Sequence, residues 1–154
     1  MMPTGWRIVK TKYAAHAFDG EGARLYGGRW NSPGLRMVYT SESLALAALE
    51  ILAHMGKSSM LAFYSRCAAH FDDSLVTSLD RSRLPANWRT YPSPSELQFL
   101  GGAWMAAETS VVLEVPSVMI ETESNYLLNP LHPDYASLVI DPPEPFDFDP
   151  RLIS

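Results

Sequence analysis

The sequence predicts an α+β fold, built as a single compact domain with a mixed, mainly antiparallel sheet and few helices. A chain of 154 residues, 47% hydrophobic and 19% charged, can bury one substantial core but is too short for two. Segments with the composition of strands outnumber segments with the pattern of helices, and they are irregularly spaced. A doubly wound sheet, in which strands and helices alternate, is therefore not predicted.

Six short segments are predicted to be strands because β-branched and aromatic residues are frequent in them. They cover residues 6–9, 36–40, 60–67, 71–76, 111–115 and 136–140. Two helices are predicted, over residues 43–55 and 95–109. The second helix has a clear start, since Pro94 lies between two serines and Glu96 follows where the free amides and the helix dipole favour an acid.

The helix predicted over residues 43–55 is apolar on nearly all sides, and Glu50 and His54 are its only polar residues after Ser43. At 100° per residue the larger apolar side chains share one face, and Glu50 points roughly opposite. Because a buried, unpaired carboxylate is costly, Glu50 should enter either a cleft or an ion pair with an arginine. A catalytic role and a structural role both remain open at this point.

A second motif is Gly-Gly-Arg-Trp-Asn at residues 27–31. The glycines allow the backbone to approach a ligand closely, and Arg29 beside Trp30 could form a bidentate anion clamp next to a stacking ring. The same residues could equally form a tight turn into a strand, with Trp30 in the core and Arg29 in solvent.

The composition argues against several classes of function. Twelve basic and seventeen acidic residues give a net charge of −5, so direct binding to nucleic acid is not expected. The four histidines lack the spacing of a metal site, and the single Cys67 is predicted to be a small core residue. The sequence contains no apolar run of membrane-spanning length and no signal peptide pattern, which predicts a cytoplasmic protein. It also lacks the Gly-x-Ser-x-Gly motif that usually marks a serine hydrolase.

The end of the chain differs from the rest. Residues 141–150 contain four prolines and four acids, a composition that excludes a helix or a central strand. We therefore expect a domain over residues 1–140 and an acidic, proline-rich extension over residues 141–154 that packs on the domain or faces a partner.

Five segments occur in an order that is similar to a known family. They are Gly-Gly-Arg-Trp-Asn at 27–31, Val-Tyr-Thr-Ser at 38–41, Leu-Ala-Ala-Leu-Glu at 46–50, Val-Pro-Ser at 115–117 and Asn-Tyr-Leu-Leu-Asn-Pro-Leu-His-Pro at 125–133. Together they resemble the RES-domain family, over about residues 6–140. The family is named for an arginine, a glutamate and a serine, which correspond to Arg29, Glu50 and Ser117. One departure is Gly102, where relatives often carry an acid.

The resemblance implies a fold similar to ADP-ribosyltransferases and the role of toxin in a bacterial type II toxin-antitoxin pair. Such toxins deplete cellular NAD by breaking its nicotinamide-ribose bond, with water or phosphate as the acceptor, so that NAD is a substrate and no separate cofactor or metal is expected. The resemblance also implies an Xre-like antitoxin, which would contact DNA in place of this chain. We expect a homodimer within a larger toxin-antitoxin complex.

The resemblance also suggests roles for individual residues. Glu50 would stabilise the ribosyl cation that forms when the bond breaks. Arg29 would bind the pyrophosphate or the ribose phosphate side of NAD, because its planar fork holds anionic oxygens in two directions. Tyr39 would stack on the nicotinamide or bond to the ribose, and Ser117 would position the substrate or Glu50. Tyr39 could instead belong to the core, and Ser117 could cap a turn.

The expected NAD-binding residues are Arg29, Trp30, Asn31, Tyr39 and Asn129. Trp30 could instead belong to the core, and Asn129 could instead organise a loop. Two other functions also stay open. One is an ADP-ribosyltransferase that modifies a protein or a small acceptor, and the other is a binding module without catalysis in which Arg29 and Glu50 form a structural bridge.

Overall fold

An eight-stranded sheet forms the centre of the protein, for which a computed structural model describes residues 2–55 and 62–153. The strands run in the order β4-β5-β6-β2-β1-β3-β7, and β8 also pairs with β3. Among these strands only β4 and β5 are parallel, so the predicted mixed, mainly antiparallel sheet is confirmed. The strands are β1 (Thr4–Lys10), β2 (Val38–Ser41), β3 (Tyr64–His70), β4 (Val76–Ser78), β5 (Val112–Pro116), β6 (Ser124–Leu128), β7 (Val139–Ile140) and β8 (Glu144–Phe146).

Three α-helices accompany the sheet in the described ranges: α1 (Glu21–Tyr26), α2 (Leu44–His54) and α3 (Ser95–Ala107). The side chain of Ser43 caps α2 by accepting a hydrogen bond from the amide of Leu46 at 3.1 Å. Short 3-10 helices occupy Thr11–His16, Asp73–Leu75, Arg81–Arg83, Pro133–Ser137 and Pro150–Ile153. Within the residues that the structure describes, no helix combines the length and the apolar content needed to span a bilayer.

Most of the predicted elements are confirmed. The strands predicted at residues 6–9, 36–40 and 111–115 correspond to β1, β2 and β5, and the helices predicted at 43–55 and 95–109 correspond to α2 and α3. Of the strand predicted at 60–67, the first two residues lie outside the described ranges and the end forms part of β3.

The strand predicted at residues 71–76 is wrong for most of its length. The carboxylate of Asp72 accepts a hydrogen bond from the amide of Ser74 at 2.9 Å and starts the 3-10 helix Asp73–Leu75, so only Val76 belongs to a strand. The prediction at 136–140 fails similarly, because the 3-10 helix Pro133–Ser137 takes the first part and leaves two residues for β7. Strand β6 was not predicted.

Both longer helices pack on the same face of the sheet. Tyr39 is opposite Leu127 and Ser41 is opposite Asn125 in the pairing of β2 with β6, so these alternate positions share one face. Helix α3 covers the Leu127 end of this face in a core that includes Trp30, Leu97, Leu100, Trp104 and Leu113. Helix α2 covers Ile8 and Tyr64 with Leu44, Ala47, Ala48 and Ile51. The part of this face that carries Ser41 and Asn125 lies between the areas covered by the two helices, and we call this part the gap.

The opposite face has its own core, formed by Val38, Ala69, Phe71, Val111, Val112, Leu128 and Leu138. Arg7 also lies on this side, opposite Cys67, which is buried as predicted. Strands β1 and β2 share only the pair Trp6 and Ser41, and Nη1 of Arg7 donates a hydrogen bond to the Tyr39 carbonyl at 3.1 Å near the point where they diverge. Nε of Arg7 is buried without a hydrogen-bond partner.

The acidic C-terminal segment lies against the sheet. Strand β8 pairs with the outer edge of β3, the position at which Pro145 is tolerated. The ring of Phe148 meets those of Tyr64 and Phe146 edge to face, with centroids 5.3 and 5.0 Å apart. Asp141 contacts His70 at 2.7 Å, and Glu144 pairs with Arg66. Residues 141–148 therefore cover part of the core of the domain.

Two neighbouring glycines of α3 provide a matched test of this packing. A Cβ atom on Gly101 would lie 1.8 Å from the Trp30 carbonyl oxygen, whereas a Cβ on Gly102 would meet only the Leu35 side chain at 3.8 Å. We expect Gly101→Ala to lower the free energy of unfolding by about 3 kcal/mol or more. Gly102→Ala should raise it by about 0.5 to 1 kcal/mol, because alanine favours the helix. Urea denaturation measures both, and equal effects would contradict the packing of α3 on Trp30.

Candidate active site

The carboxylate of Glu50 lies in the gap between α2 and α3, where three neutral side chains bond to it. Its Oε1 accepts a hydrogen bond from the Ser117 hydroxyl at 2.9 Å. Its Oε2 accepts from the Ser41 hydroxyl at 3.1 Å and from the Asn125 amide at 2.9 Å. These donors stand at the end of β2, just after β5 and near the start of β6, so three strands meet at one carboxylate.

Glu50 is not among the apolar residues of α2 that pack on Ile8 and Tyr64, which agrees with its predicted position away from the main apolar face. The ion pair with an arginine, which the sequence left open, is not among the contacts that Glu50 makes in the described part of the chain. Hydrogen bonds from neutral donors offset part of the desolvation of a carboxylate without cancelling its charge. The negative charge is therefore available to a cationic group that enters the gap.

Ser117 is completely buried and positions Glu50. Its Oγ accepts hydrogen bonds from the amides of Met119 and Ile120 at 3.1 and 3.2 Å and donates its single proton to Glu50. The hydroxyl thus caps a turn and holds the carboxylate at the same time, which combines two of the roles that the sequence suggested.

Ser41 and Asn125 were not predicted as site residues. Nδ2 of Asn125 also lies 3.1 Å from the Ser41 hydroxyl and 3.2 Å from the Thr40 carbonyl, which ties the two strands together under Glu50. The register of β2 with β6 brings these side chains together, and β6 was not predicted. Two signals in the sequence could have found them: both residues lie in segments that carry the family resemblance, and Ser41 follows Tyr39 by two residues and therefore lies on the same face.

Arg29 is half-buried beside this gap. Its Nη1 donates to the carbonyls of Trp88 and Thr90 at 3.0 and 3.1 Å, and the described residues supply no acceptor for Nε or Nη2. Burial lowers the pKa of Arg29, while the nearby Tyr39 and Glu50 oppose this change, and an arginine stays charged at neutral pH. The guanidinium is held in place with donors left over, as the binding of an anion requires.

The backbone around Arg29 is fixed from two sides. Nε2 of Gln98 on α3 donates to the carbonyls of Gly28 and Asn31, both at 3.0 Å. The Tyr39 hydroxyl accepts from the Trp30 amide at 2.9 Å and donates to Oδ1 of Asn31 at 2.6 Å. A Cβ atom on Gly28 would lie 2.6 Å from that hydroxyl oxygen, so only glycine fits here.

Trp30 and Asn31 face the interior of the protein. Trp30 is 2% exposed within the α3 core, the alternative place that the sequence left open. Asn31 is 0% exposed, and its Nδ2 donates to the carbonyls of Ala23, Ser32 and Leu35. These contacts shape the loop that carries Arg29. A direct contact of either side chain with a nucleotide stays a prediction.

Tyr39 and Asn129 differ in their distance from Glu50. The Tyr39 hydroxyl is already bonded as donor and acceptor, and burial raises its pKa well above the ordinary value, so a bond to ribose would compete with Asn31. Asn129 follows the far end of β6, four residues or about 13 Å from Asn125. Its Oδ1 accepts from the Leu131 amide at 3.0 Å, so Asn129 organises a loop and is not brought to Glu50.

The assembled site combines an anionic carboxylate and a cationic guanidinium that are near each other without direct contact. No group of three or more His, Cys, Asp or Glu side chains suited to hold a metal occurs in residues 2–55 and 62–153. The arrangement suits a ligand that carries a phosphate for Arg29 and a developing positive charge for Glu50.

Comparison with known proteins identifies the family of this chain. The RES domain model matches residues 4–149. The chain belongs to the RES-domain family. Within that family, "Toxin Res" of Yersinia enterocolitica is 39% identical and covers 96% of this chain and 97% of its own length. The "Prs ADP-ribosylating toxin" of Sphingobium sp. strain YBL2 is 31% identical, with 99% and 98% coverage.

A solved structure shares the RES fold. The M. tuberculosis MbcT-MbcA toxin-antitoxin complex contains a chain that superposes with a TM-score of 0.77, covering 96% of this chain and 85% of that one. At 19% sequence identity this likeness concerns the fold alone.

The hydroxyl of Tyr39 provides a test of the loop. Tyr39→Phe leaves the Trp30 amide and Asn31 Oδ1 without a partner, so the free energy of unfolding at pH 7 should fall by about 1 to 3 kcal/mol. The exposed Tyr26 provides the control, since Tyr26→Phe should change it by less than about 0.5 kcal/mol.

The loss of stability in Tyr39→Phe should depend on pH. Unfolded tyrosine loses its proton near pH 10, whereas Tyr39 in the folded protein keeps its proton to higher pH. The hydroxyl therefore stabilises the fold fully below about pH 10 and less as the pH rises further. Denaturation between pH 7 and 11 should show the difference between wild type and Tyr39→Phe narrowing above pH 10, and a constant difference would contradict the burial of this hydroxyl.

Proposed function

We propose that this protein is the toxin of a toxin-antitoxin pair and that it depletes NAD by cleaving the nicotinamide-ribose bond. The observation that carries the proposal is the Glu50 carboxylate, which three neutral donors hold beside the free donors of Arg29. The names of relatives in the family, including "Toxin Res", support it further.

The charge on Glu50 suits the chemistry of this bond. The nicotinamide ring of NAD is cationic and departs as a neutral molecule, so its departure requires no general acid. Breaking the bond leaves positive charge on C1 and the ring oxygen of the ribose, and a carboxylate stabilises that charge. A water or phosphate oxygen then bonds to C1, which gives ADP-ribose and a proton or ADP-ribose 1-phosphate.

The hydrogen bonds of Glu50 leave room for substrate. A carboxylate oxygen can accept about two hydrogen bonds, and Oε2 already accepts two while Oε1 accepts one. Oε1 can therefore accept a further bond from a ribose hydroxyl. Arg29 binds the pyrophosphate through Nε and Nη2, and Ser41, Ser117 and Asn125 keep the carboxylate in place.

ADP-ribosyl transfer to a protein or a small molecule is the second candidate. The specific observation in its favour is the relative named as a Prs ADP-ribosylating toxin, which matches 99% of this chain. Both reactions begin with the same ribosyl cation and differ only in the acceptor. The binding module without catalysis has less support, because Arg29 and Glu50 do not form the expected bridge among the described contacts.

An Xre-like antitoxin is the proposed partner, since a protein with this fold has been solved in a toxin-antitoxin complex. The antitoxin would contact DNA, which agrees with the net charge of −5 on this chain. We place the protein in the cytoplasm, where NAD is present, as a homodimer within the complex. Light scattering of the isolated chain should give the mass of a dimer, and a monomer mass would contradict that part.

Incubation of the purified protein with NAD tests the function. We expect free nicotinamide together with ADP-ribose, or ADP-ribose 1-phosphate when phosphate is present. Glu50→Gln should lower the rate at least about 100-fold, because the neutral amide cannot stabilise the cation. Glu96→Gln, on the exposed first turn of α3, is the matched control and should keep wild-type activity. Liquid chromatography of the products gives the rates.

The products also separate the alternatives. Label from NAD that appears on protein in place of free ADP-ribose would favour ADP-ribosyl transfer. NAD that stays intact with folded protein freed of antitoxin would contradict both enzymatic functions. In cells, growth inhibition should disappear with Glu50→Gln and persist with Glu96→Gln.

A further inference from the structure

We propose that Tyr91 stacks on the adenine ring of NAD and so determines that the substrate is a dinucleotide. This inference rests on the proposed function of the same site. It adds a base-binding position that neither Arg29 nor Glu50 can supply, since both recognise charge.

The first observation is the exposure of Tyr91. Its side chain is 83% exposed, and the aromatic ring pairs found in the described residues do not include it. Trp88, three residues earlier, is instead half-buried and packs against the α3 core. Most of the Tyr91 side chain is therefore accessible to a flat ligand, as stacking requires.

The second observation connects Tyr91 to Arg29. Nη1 of Arg29 donates hydrogen bonds to the carbonyls of Trp88 and Thr90, so the guanidinium is joined to the turn that leads into Tyr91. The Tyr91 side chain also lies close enough to Arg29 to affect its pKa. An anion bound to Arg29 is therefore bound next to this ring.

The chemistry of NAD gives the third step. A pyrophosphate joins the nicotinamide riboside to the adenosine, so the adenosine must extend away from Arg29 when the pyrophosphate lies there and the nicotinamide ribose lies at Glu50. Stacking on an aromatic side chain binds a base without the need for specific hydrogen bonds. Tyr91 is the exposed aromatic residue that the structure connects to Arg29.

Nicotinamide mononucleotide provides the discriminating ligand, because it contains the nicotinamide ribose and one phosphate but no adenine. Binding of ADP-ribose, NAD and nicotinamide mononucleotide is measured by calorimetry in the Glu50→Gln protein, so that turnover does not interfere. Tyr91→Ala and Tyr91→Phe are added to this background. Phe63→Ala serves as the control, since Phe63 is equally exposed but lies beside the start of β3.

Tyr91→Ala should weaken the binding of ADP-ribose and NAD about tenfold, as the loss of one base stack requires. Tyr91→Phe and Phe63→Ala should bind within about twofold of the parent, and nicotinamide mononucleotide should bind equally to all four proteins. In the active protein, Tyr91→Ala should raise KM for NAD with kcat nearly unchanged.

Three results would overturn the inference: unchanged affinity of Tyr91→Ala for ADP-ribose, an equal loss of affinity for nicotinamide mononucleotide, or no binding of ADP-ribose by the parent. Failure of the proposed function looks different. The wild-type protein would then leave NAD intact, while the effect of Tyr91→Ala on the binding of ADP-ribose would still decide the role of Tyr91.

Discussion

The carboxylate of Glu50 is the constraint on which the arrangement of this protein depends. A charged group between a helix and a sheet needs hydrogen bonds, and each of its three donors comes from a different place in the chain. The donors converge only if β2 lies beside β6 and β5 lies beyond β6, as the sheet order provides. The gap that admits Glu50 exists because α2 and α3 pack on separate parts of one face. The order of the strands and the packing of the two helices therefore together provide the hydrogen bonds that the Glu50 carboxylate needs.

The loop of Arg29 is positioned mainly through backbone groups. Gln98 and Tyr39 bond to the carbonyls and the amide of the loop, and the carbonyls of a second loop receive the guanidinium. The Tyr39 hydroxyl and the Trp30 carbonyl approach Gly28 and Gly101 so closely that a Cβ atom at either glycine would clash with them. The glycines of the motif therefore serve the placement of Arg29 as much as they serve a possible ligand.

The sequence predicted the parts of this protein that depend on local pattern. The helical period alone indicated that Glu50 leaves the apolar face of α2. Pro94 and the early acid Glu96 located the start of α3, but the expected serine cap was wrong, because Pro94 occupies the N-cap position and no side chain caps the helix. The strand predicted at residues 71–76 was wrong because a side chain bonds to the backbone there in place of a neighbouring strand. The carboxylate of Asp72 accepts a bond from the amide of Ser74 and starts a 3-10 helix. Ser41 and Asn125 could not be assigned to the site from local pattern, because their contact depends on the register of β2 with β6. These two strands are far apart in the sequence: the paired residues Thr40 and Tyr126 are separated by 86 positions. Asn129 belongs to the same sequence motif as Asn125 but lies at the other end of β6.

Arg7 extends these constraints to the face of the sheet opposite Glu50. Its guanidinium bonds to the carbonyl of Tyr39, whose hydroxyl on the opposite face holds Trp30 and Asn31. Tyr39 of β2 is thus held by hydrogen bonds on both faces of the sheet, at its carbonyl on one face and at its hydroxyl on the other. A lysine cannot reproduce the planar fork of an arginine, so an exchange that preserves charge would still loosen this fastening. Residues that take part in these hydrogen bonds through the sheet should therefore be sensitive to substitution even when they lie far from Glu50.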